Sequence, residues 1–282
     1  MLETLYRPVP VPPHLTRWIN RIMLAEPGEP IELVVPQPPT GYAYIGWVFG
    51  GRAEGFLDGR KVNGFAGTAH IAGPVGDRAI ETRLYGRFGH VVAQCSATGF
   101  AELTRRPGRD ARNRAVALAE YMREAPDLGR LGGASGDVVA RFTDLLSGLA
   151  ERAITAPAGL RRAAGAIERS DGRMPIAEAA ALAGMSTAWF SRSFADWTGL
   201  PPKRFARIMQ LTRALEALYR DDRAYLADLA VEAGYYDQAH LAHALRTFLD
   251  RTPAEFLRGR HDLLPTFLGQ RDARAARPGG GG

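Results

Sequence analysis

In the first hundred residues, apolar positions fall in short runs, at 31–35, 44–49, 68–72, 79–84 and 91–95, and glycines recur between Gly41 and Gly76. Runs of this kind, spaced about 8–12 residues apart with turn residues between them, predict the strands of a sandwich or small barrel. The clearest turn is Asp58-Gly59, between Phe56-Leu57 and Lys61-Val62, because a two-residue type I′ hairpin needs positive φ at both central positions. The arm before these runs carries Pro8, Pro10, Pro12 and Pro13, which lack the N–H that a central strand requires. After Pro107 the period changes. Ala115, Leu118, Ala119 and Met122 recur three or four apart, as do Val138, Val139, Phe142, Leu145, Leu146 and Leu149, and each set predicts a helix with one apolar stripe. The glycine-rich stretch 126–136 would join them. Such a pair either packs on the domain's own sheet, the more natural use, or forms a dimer seam. From Leu160 to Arg260 the pattern is helical throughout, and the polar tail from 269, ending in four glycines, is expected to be disordered.

Within the helical half one unit occurs twice. Ile176, Ala179, Ala180 and Ala183 predict a short helix with a small-residue face; Gly184-Met185-Ser186 interrupts it, and Ser186 suits an N-cap. Phe190, Phe194 and Trp197 then supply the inward stripe of a second helix. Two short helices meeting at a glycine-centred turn make a helix-turn-helix. Leu226, Leu229, Ala230 and Ala233 repeat the first helix, Gly234-Tyr235-Tyr236 the turn, Asp237 the cap, and Leu241, Leu245 and Phe248 or Leu249 the second stripe. Between the units, 202–219 reads as one helix burying Phe205, Ile208, Leu211, Leu215 and Leu218; at 1.5 Å per residue it spans about 27 Å. A strut of that length can hold two reading helices about one DNA turn, ~34 Å, apart on one face of a duplex.

Residues 176–256 resemble the DNA-binding domain of AraC/XylS-family transcription regulators. The match is carried by Leu182-Ala183-Gly184-Met185-Ser186, Phe190-Ser191-Arg192-Ser193-Phe194, Thr198-Gly199-Leu200-Pro201-Pro202 and Arg213-Ala214. The second half adds Ala233-Gly234-Tyr235-Tyr236-Asp237-Gln238-Ala239-His240-Leu241 and Thr252-Pro253-Ala254-Glu255-Phe256. The resemblance covers roughly a third of the chain; an arm followed by a β-rich domain is also similar to that family's N-terminal regions, less specifically. It implies that base-contacting positions fall on Thr187, Ala188, Ser191 and Arg192 in the first unit and on Gln238, Ala239, His240 and His243 in the second. Arg192 would fork onto guanine O6 and N7, and Gln238 would pair with adenine N6 and N7. His240 could equally serve as a hydrogen-bonding residue at the helix start, and Trp189 is better suited to a structural contact than to stacking on sugar. Lys203, Arg204, Arg207 and Arg246 are the phosphate-contact candidates. The family usually has Arg where His243 stands and often Gly where Asp250 stands, whereas the first unit keeps both, as Arg192 and Gly199. The first unit is therefore expected to carry more of the specificity.

Composition narrows these readings only slightly. The 282 residues are 46% hydrophobic and 23% charged, which excludes wholesale disorder and a coiled-coil rod. No run is long and apolar enough for a spanning helix, and the first residues lack a basic leader followed by an apolar stretch, so a cytoplasmic protein without a membrane partner is expected. A net charge of +6, spread over both halves, permits a polyanionic partner without demanding one. The single cysteine, Cys95, excludes four-cysteine zinc sites and an internal disulfide. An alternative class, a cupin-like enzyme or a DNA-repair-type regulator, would use Cys95 as nucleophile or His70 and His90 as metal ligands. Against it stand the apolar neighbours Val91, Val92 and Ala93 and the lack of a His-x-His pair with a carboxylate. No catalytic set, cofactor or metal is expected.

The sequence thus predicts an α+β protein. Residues 1–107 form a β-rich, cupin-like barrel or sandwich that senses a signal; 108–156 a helical pair for linkage or dimerisation; 157–261 an all-α double helix-turn-helix domain; and 262–282 a disordered tail. The expected function is sequence-specific binding of double-stranded DNA to regulate transcription. A small-molecule effector, RNA polymerase and a second copy of the chain are candidate partners.

Overall fold

A computed structural model describes residues 5–26, 28–76, 79–122, 135–220, 226–249, 252 and 255. The tail 262–282 lies outside them, as do Asp250, Pro253, Ala254, Phe256 and most of the stretch 126–136.

Two long strands organise the N-terminal half. β4 (Tyr44–Leu57) and β7 (Ile80–Cys95) pair antiparallel over most of their length, and each changes its other partner part-way along. The first half of β7 holds β3 (Ile31–Gln37); its second half holds β2 (Ile19–Ala25), which carries the edge strand β1 (Arg7–Val9). In the same way β4 holds β6 (Thr68–Ala72) and β5 (Arg60–Phe65), and β6 carries β8 (Ala115–Ala117). The predicted hairpin is present: Leu57 pairs with Arg60, and Asp58 and Gly59 take φ of 50° and 74°. Pro8 sits in an edge strand, where its missing N–H removes no central ladder bond.

Two sequence expectations are corrected. The runs at 79–84 and 91–95 are one strand, because the residues between them, Gly86 included, bend β7 at the switch from β3 to β2 without ending it. The stripe from Ala115 to Met122 is not one helix: 115–117 add an edge strand to β6, and only α2 (Leu118–Tyr121) is helical. A spacing of three or four over eight residues cannot separate a strand followed by one turn from two turns of helix. The predicted helical pair is thus a strand and one turn followed by α3 (Ser135–Glu151). The stripe of α3 joins the chain's own core: Val138, Phe142, Leu145, Leu146 and Leu149 pack with Leu15, Ile22 and Val91, so it is no dimer seam. A helix that the sequence reading passed over, α1 (Gly99–Thr104), buries Glu102, which accepts from Arg17, the Trp18 indole N–H and the Thr98 hydroxyl at 3.0, 3.2 and 2.8 Å.

The C-terminal half is helical as expected: α4 (Ala158–Arg169), α5 (Ile176–Ala183), α6 (Thr187–Thr198), α7 (Pro202–Arg220), α8 (Leu226–Glu232) and α9 (Gln238–Leu249). Its core is separate and centres on α7, whose Phe205, Ile208, Leu211, Leu215 and Leu218 are all buried. The two halves meet along a polar and aromatic seam. The Tyr42 hydroxyl donates to Glu168 Oε1 of α4 at 2.9 Å, and its ring lies edge-on to Phe205 of α7. Gly108 packs against Gly199, which closes α6, and the Ala79 N–H donates to the Phe248 carbonyl at the end of α9 at 2.8 Å.

Candidate functional site

Both predicted units are built, each with an identifiable local cause. Gly184 ends α5 in the left-handed conformation (φ 70°), turning the chain sharply enough for α6 to cross it; Ser186, extended, caps α6 by accepting from the Trp189 N–H at 3.3 Å. Phe190 and Phe194 are fully buried, 5.3 Å apart, and Phe194 meets Phe205 of α7. The second unit repeats this with Gly234 at φ 82° and with Asp237 Oδ1 accepting from the His240 N–H at 2.7 Å. Leu241, Leu245 and Phe248 are buried against the same core.

With one face of α6 and α9 pinned inward, the other is free. Thr187, Ala188 and Arg192 on α6, and Gln238, Ala239, His240 and His243 on α9, are exposed; Ser191 is half-buried. Beside them stand exposed aromatics, Trp189 (55%) and Tyr236 (88%), and the Arg192 guanidinium lies 5.7 Å from the Trp189 ring centre.

A second feature lies inside the N-terminal sheet. A cavity of about 260 Å³ is walled by β3 to β8, with Val35, Val48, Leu84 and Phe88 among its apolar residues. His70 and His90 face it with their rings 5.2 Å apart, and burial holds both imidazoles neutral, His70 down at about 4 and His90 well below its ordinary value, the latter helped by the proximity of His70. Tyr42, Gly73, Val75 and Ile80 also line it, so the cavity wall includes both the tyrosine that bonds α4 and the stretch that docks on α7 and α9.

Residues 179–259 match the family model described as a helix-turn-helix domain. The C-terminal region is a helix-turn-helix domain of the AraC type. The chain is therefore placed with DNA-binding transcription regulators. Solved structures similar to the whole chain include an apo single-residue variant of ToxT from Vibrio cholerae, at 10% identity over 84% of this chain and 96% of that one, with a TM-score of 0.46. Unsaturated fatty acid-bound ToxT from the same organism aligns at 9% identity over 82% and 96%, with a TM-score of 0.43. The AraC-like transcriptional activator CuxR aligns at 12% identity over 93% and 78%, with a TM-score of 0.28.

Within the AraC-type domain the sequence-named residues divide into three groups. Thr187, Ala188, Arg192, Gln238, Ala239 and His243 stand on exposed helix faces, and Lys203, Arg207 and Arg246 are exposed around them. His240 has local duties: its ring meets Tyr235 edge-on at 5.2 Å and its Nδ1 accepts from the Tyr236 N–H at 3.4 Å, the helix-start role weighed for it from sequence. Arg204 is turned away from the exposed face: its guanidinium donates to the Gly76 carbonyl and lies 4.3 Å from the Phe248 ring centre. It thus joins the cavity-lining stretch to both ends of the AraC-type domain. Cys95 is fully buried, and burial pushes its thiol up, away from the thiolate a nucleophile needs. The cavity and its two histidines were not assigned by sequence reading. Their signal was a polar residue inside each of two apolar strands, but only the pairing of β4 with both β6 and β7 brings those strands together.

Proposed function

We propose that the protein is a sequence-specific double-stranded DNA-binding transcription regulator, cytoplasmic and without catalytic activity, in which α6 and α9 enter successive major grooves and α7 sets their separation. The observation that carries this reading is the pairing of two capped helices on one core, each inward face buried around α7 and each outward face exposed. Arg192 reads a base from α6, and the side chains of α9 read fewer. Lys203, Arg207 and Arg246 supply phosphate contacts. Selection from random duplexes provides a target site. On it, Arg192→Ala is expected to weaken binding by about 1–3 kcal/mol and to relax one base position. Equal losses on target and scrambled duplexes would reduce Arg192 to a phosphate contact. Affinity should fall steeply with salt, since phosphate contacts release counterions.

The cavity supports effector control. Its wall contains Tyr42 and Val75, from the two stretches that touch the AraC-type domain through Glu168 and Phe205 on one side and through Leu200, Arg204 and Phe248 on the other. An occupant that binds more tightly when these contacts are released shifts the protein toward the arrangement that engages DNA, by no more than its difference in affinity for the two arrangements.

A further inference from the structure

The cavity has a polar end with unmet requirements. His70 is sandwiched: Phe65 stacks on it at 4.4 Å and 14°, and His90 lies 5.2 Å away at 23°. The Tyr6 hydroxyl and His90 Nδ1 are 2.6 Å apart, and burial drives the phenol's pKa upward, so it keeps its proton and donates it to Nδ1. The His90 proton then belongs on Nε2. That atom and His70 Nδ1 are buried and lack a hydrogen-bond partner. Bare backbone at Gly46 makes room for the pair, since a Cβ there would stand 2.7 Å from His90 Nε2 and 2.9 Å from the His70 ring. A buried N–H donor and a second unsatisfied ring nitrogen at the end of an apolar cavity call for an acceptor that arrives with an occupant.

Size and charge narrow the occupant further. At about 260 Å³ the cavity lies between the ~150 Å³ that admits benzene and the ~300–1,000 Å³ of drug-sized sites, which suits one substituted ring. Among the described residues its one charged lining side chain, Arg114, is exposed, and both imidazoles are neutral, so an ionised group at the polar end would be buried without a counter-charge. We propose that the cavity binds an uncharged, single-ring organic molecule whose carbonyl or hydroxyl oxygen accepts a hydrogen bond from His90 Nε2–H, with His70 Nδ1 as the second polar contact. This deepens the effector reading and rests on it only for the consequence of binding, not for binding itself.

Three isosteric probes test it on the full-length protein by ¹⁹F NMR: 4-fluoroacetophenone, 4-fluoro-α-methylstyrene, in which a CH₂ replaces the carbonyl oxygen, and 4-fluorobenzoate, which is charged. The ketone is expected to bind about ten-fold or more tightly than either of the others, because a site that donates to a ligand oxygen penalises the analogue lacking it. It is also expected to shift the His90 Nε2 resonance in the imidazole ¹⁵N spectrum. In His90→Phe the ketone and the olefin should bind alike. If that variant does not fold, the three probes on the unaltered chain decide the matter. Equal binding of ketone and olefin, tighter binding of benzoate, or no binding of the ketone at millimolar concentration would overturn the proposal. None of these results bears on DNA binding, which is measured separately; conversely, a chain that takes the ketone but no duplex would sink the regulator reading alone.

Discussion

Gly199 and Gly184 end consecutive helices in nearly the same left-handed conformation, φ 82° and 70°, but in different surroundings. A Cβ on Gly184 meets nothing within 4 Å. A Cβ on Gly199 would stand 2.5 Å from Pro74 Cγ and 2.8 Å from the Gly108 carbonyl oxygen, both in the N-terminal half. Gly184→Ala therefore carries only the backbone penalty of placing a non-glycine residue there, about 1–2 kcal/mol. Gly199→Ala carries that and a clash with main chain that cannot swing aside, adding ~1–3 kcal/mol by analogy with overpacked cores. Gly108→Ala isolates the contact from the other side: its Cβ would stand 2.8 Å from Gly199 N and 2.9 Å from the Trp197 carbonyl oxygen, with no left-handed penalty. Urea unfolding followed by helical circular dichroism measures all three. Gly199→Ala should be the most destabilised, by ~1–3 kcal/mol relative to Gly184→Ala. The double variant Gly108→Ala/Gly199→Ala should fall short of additivity because one seam is lost only once. Equal destabilisation of Gly184→Ala and Gly199→Ala, with Gly108→Ala neutral, would refute the docked arrangement of the two halves.

Ser186→Ala removes the cap of α6 and should lower stability by about 1 kcal/mol, read as a lower midpoint in thermal unfolding; an unchanged midpoint would mean the hydroxyl is not capping. The buried, neutral imidazoles give a pH signature. His70 titrates at about 4 when folded but near 6.5 when unfolded, so between these values the unfolded chain binds a proton that the folded chain does not, and stability falls as pH drops. From pH 7.5 to 5.0, above the range in which ordinary carboxylates titrate, His70 alone should account for a loss of about 2 kcal/mol, with His90 acting in the same direction. Denaturant midpoints at the two pH values check this; no decrease at pH 5.0 would show that the imidazoles are solvated.

Legibility from sequence followed the range of the interactions involved. The Asp58-Gly59 hairpin and both helix-turn-helix units rest on contacts within about twenty residues, and there cap, turn and stripe all agree with the structure. Where an element's state depends on a distant partner, the local pattern is ambiguous. Ala115 to Ala117 are extended because β6 pairs with them, and β7 runs unbroken because it has two partners to bridge. Arg204 was a plausible phosphate contact on the exposed start of α7 until the stretch at Gly76, some 128 positions earlier, took its guanidinium. The cavity was the least legible feature, since His70 and His90 become neighbours only when β6 and β7 flank β4.

The spacing of half-sites tests the central claim most directly. Duplexes selected from a random pool should contain two short conserved elements whose centres lie about 10–10.5 base pairs apart, because one rigid domain presents α6 and α9 to the same face of DNA. Inserting five base pairs between the elements should abolish specific binding, as it rotates one groove to the far side. Selected sites with a single element, or affinity indifferent to the insertion, would contradict a two-headed reader held by α7.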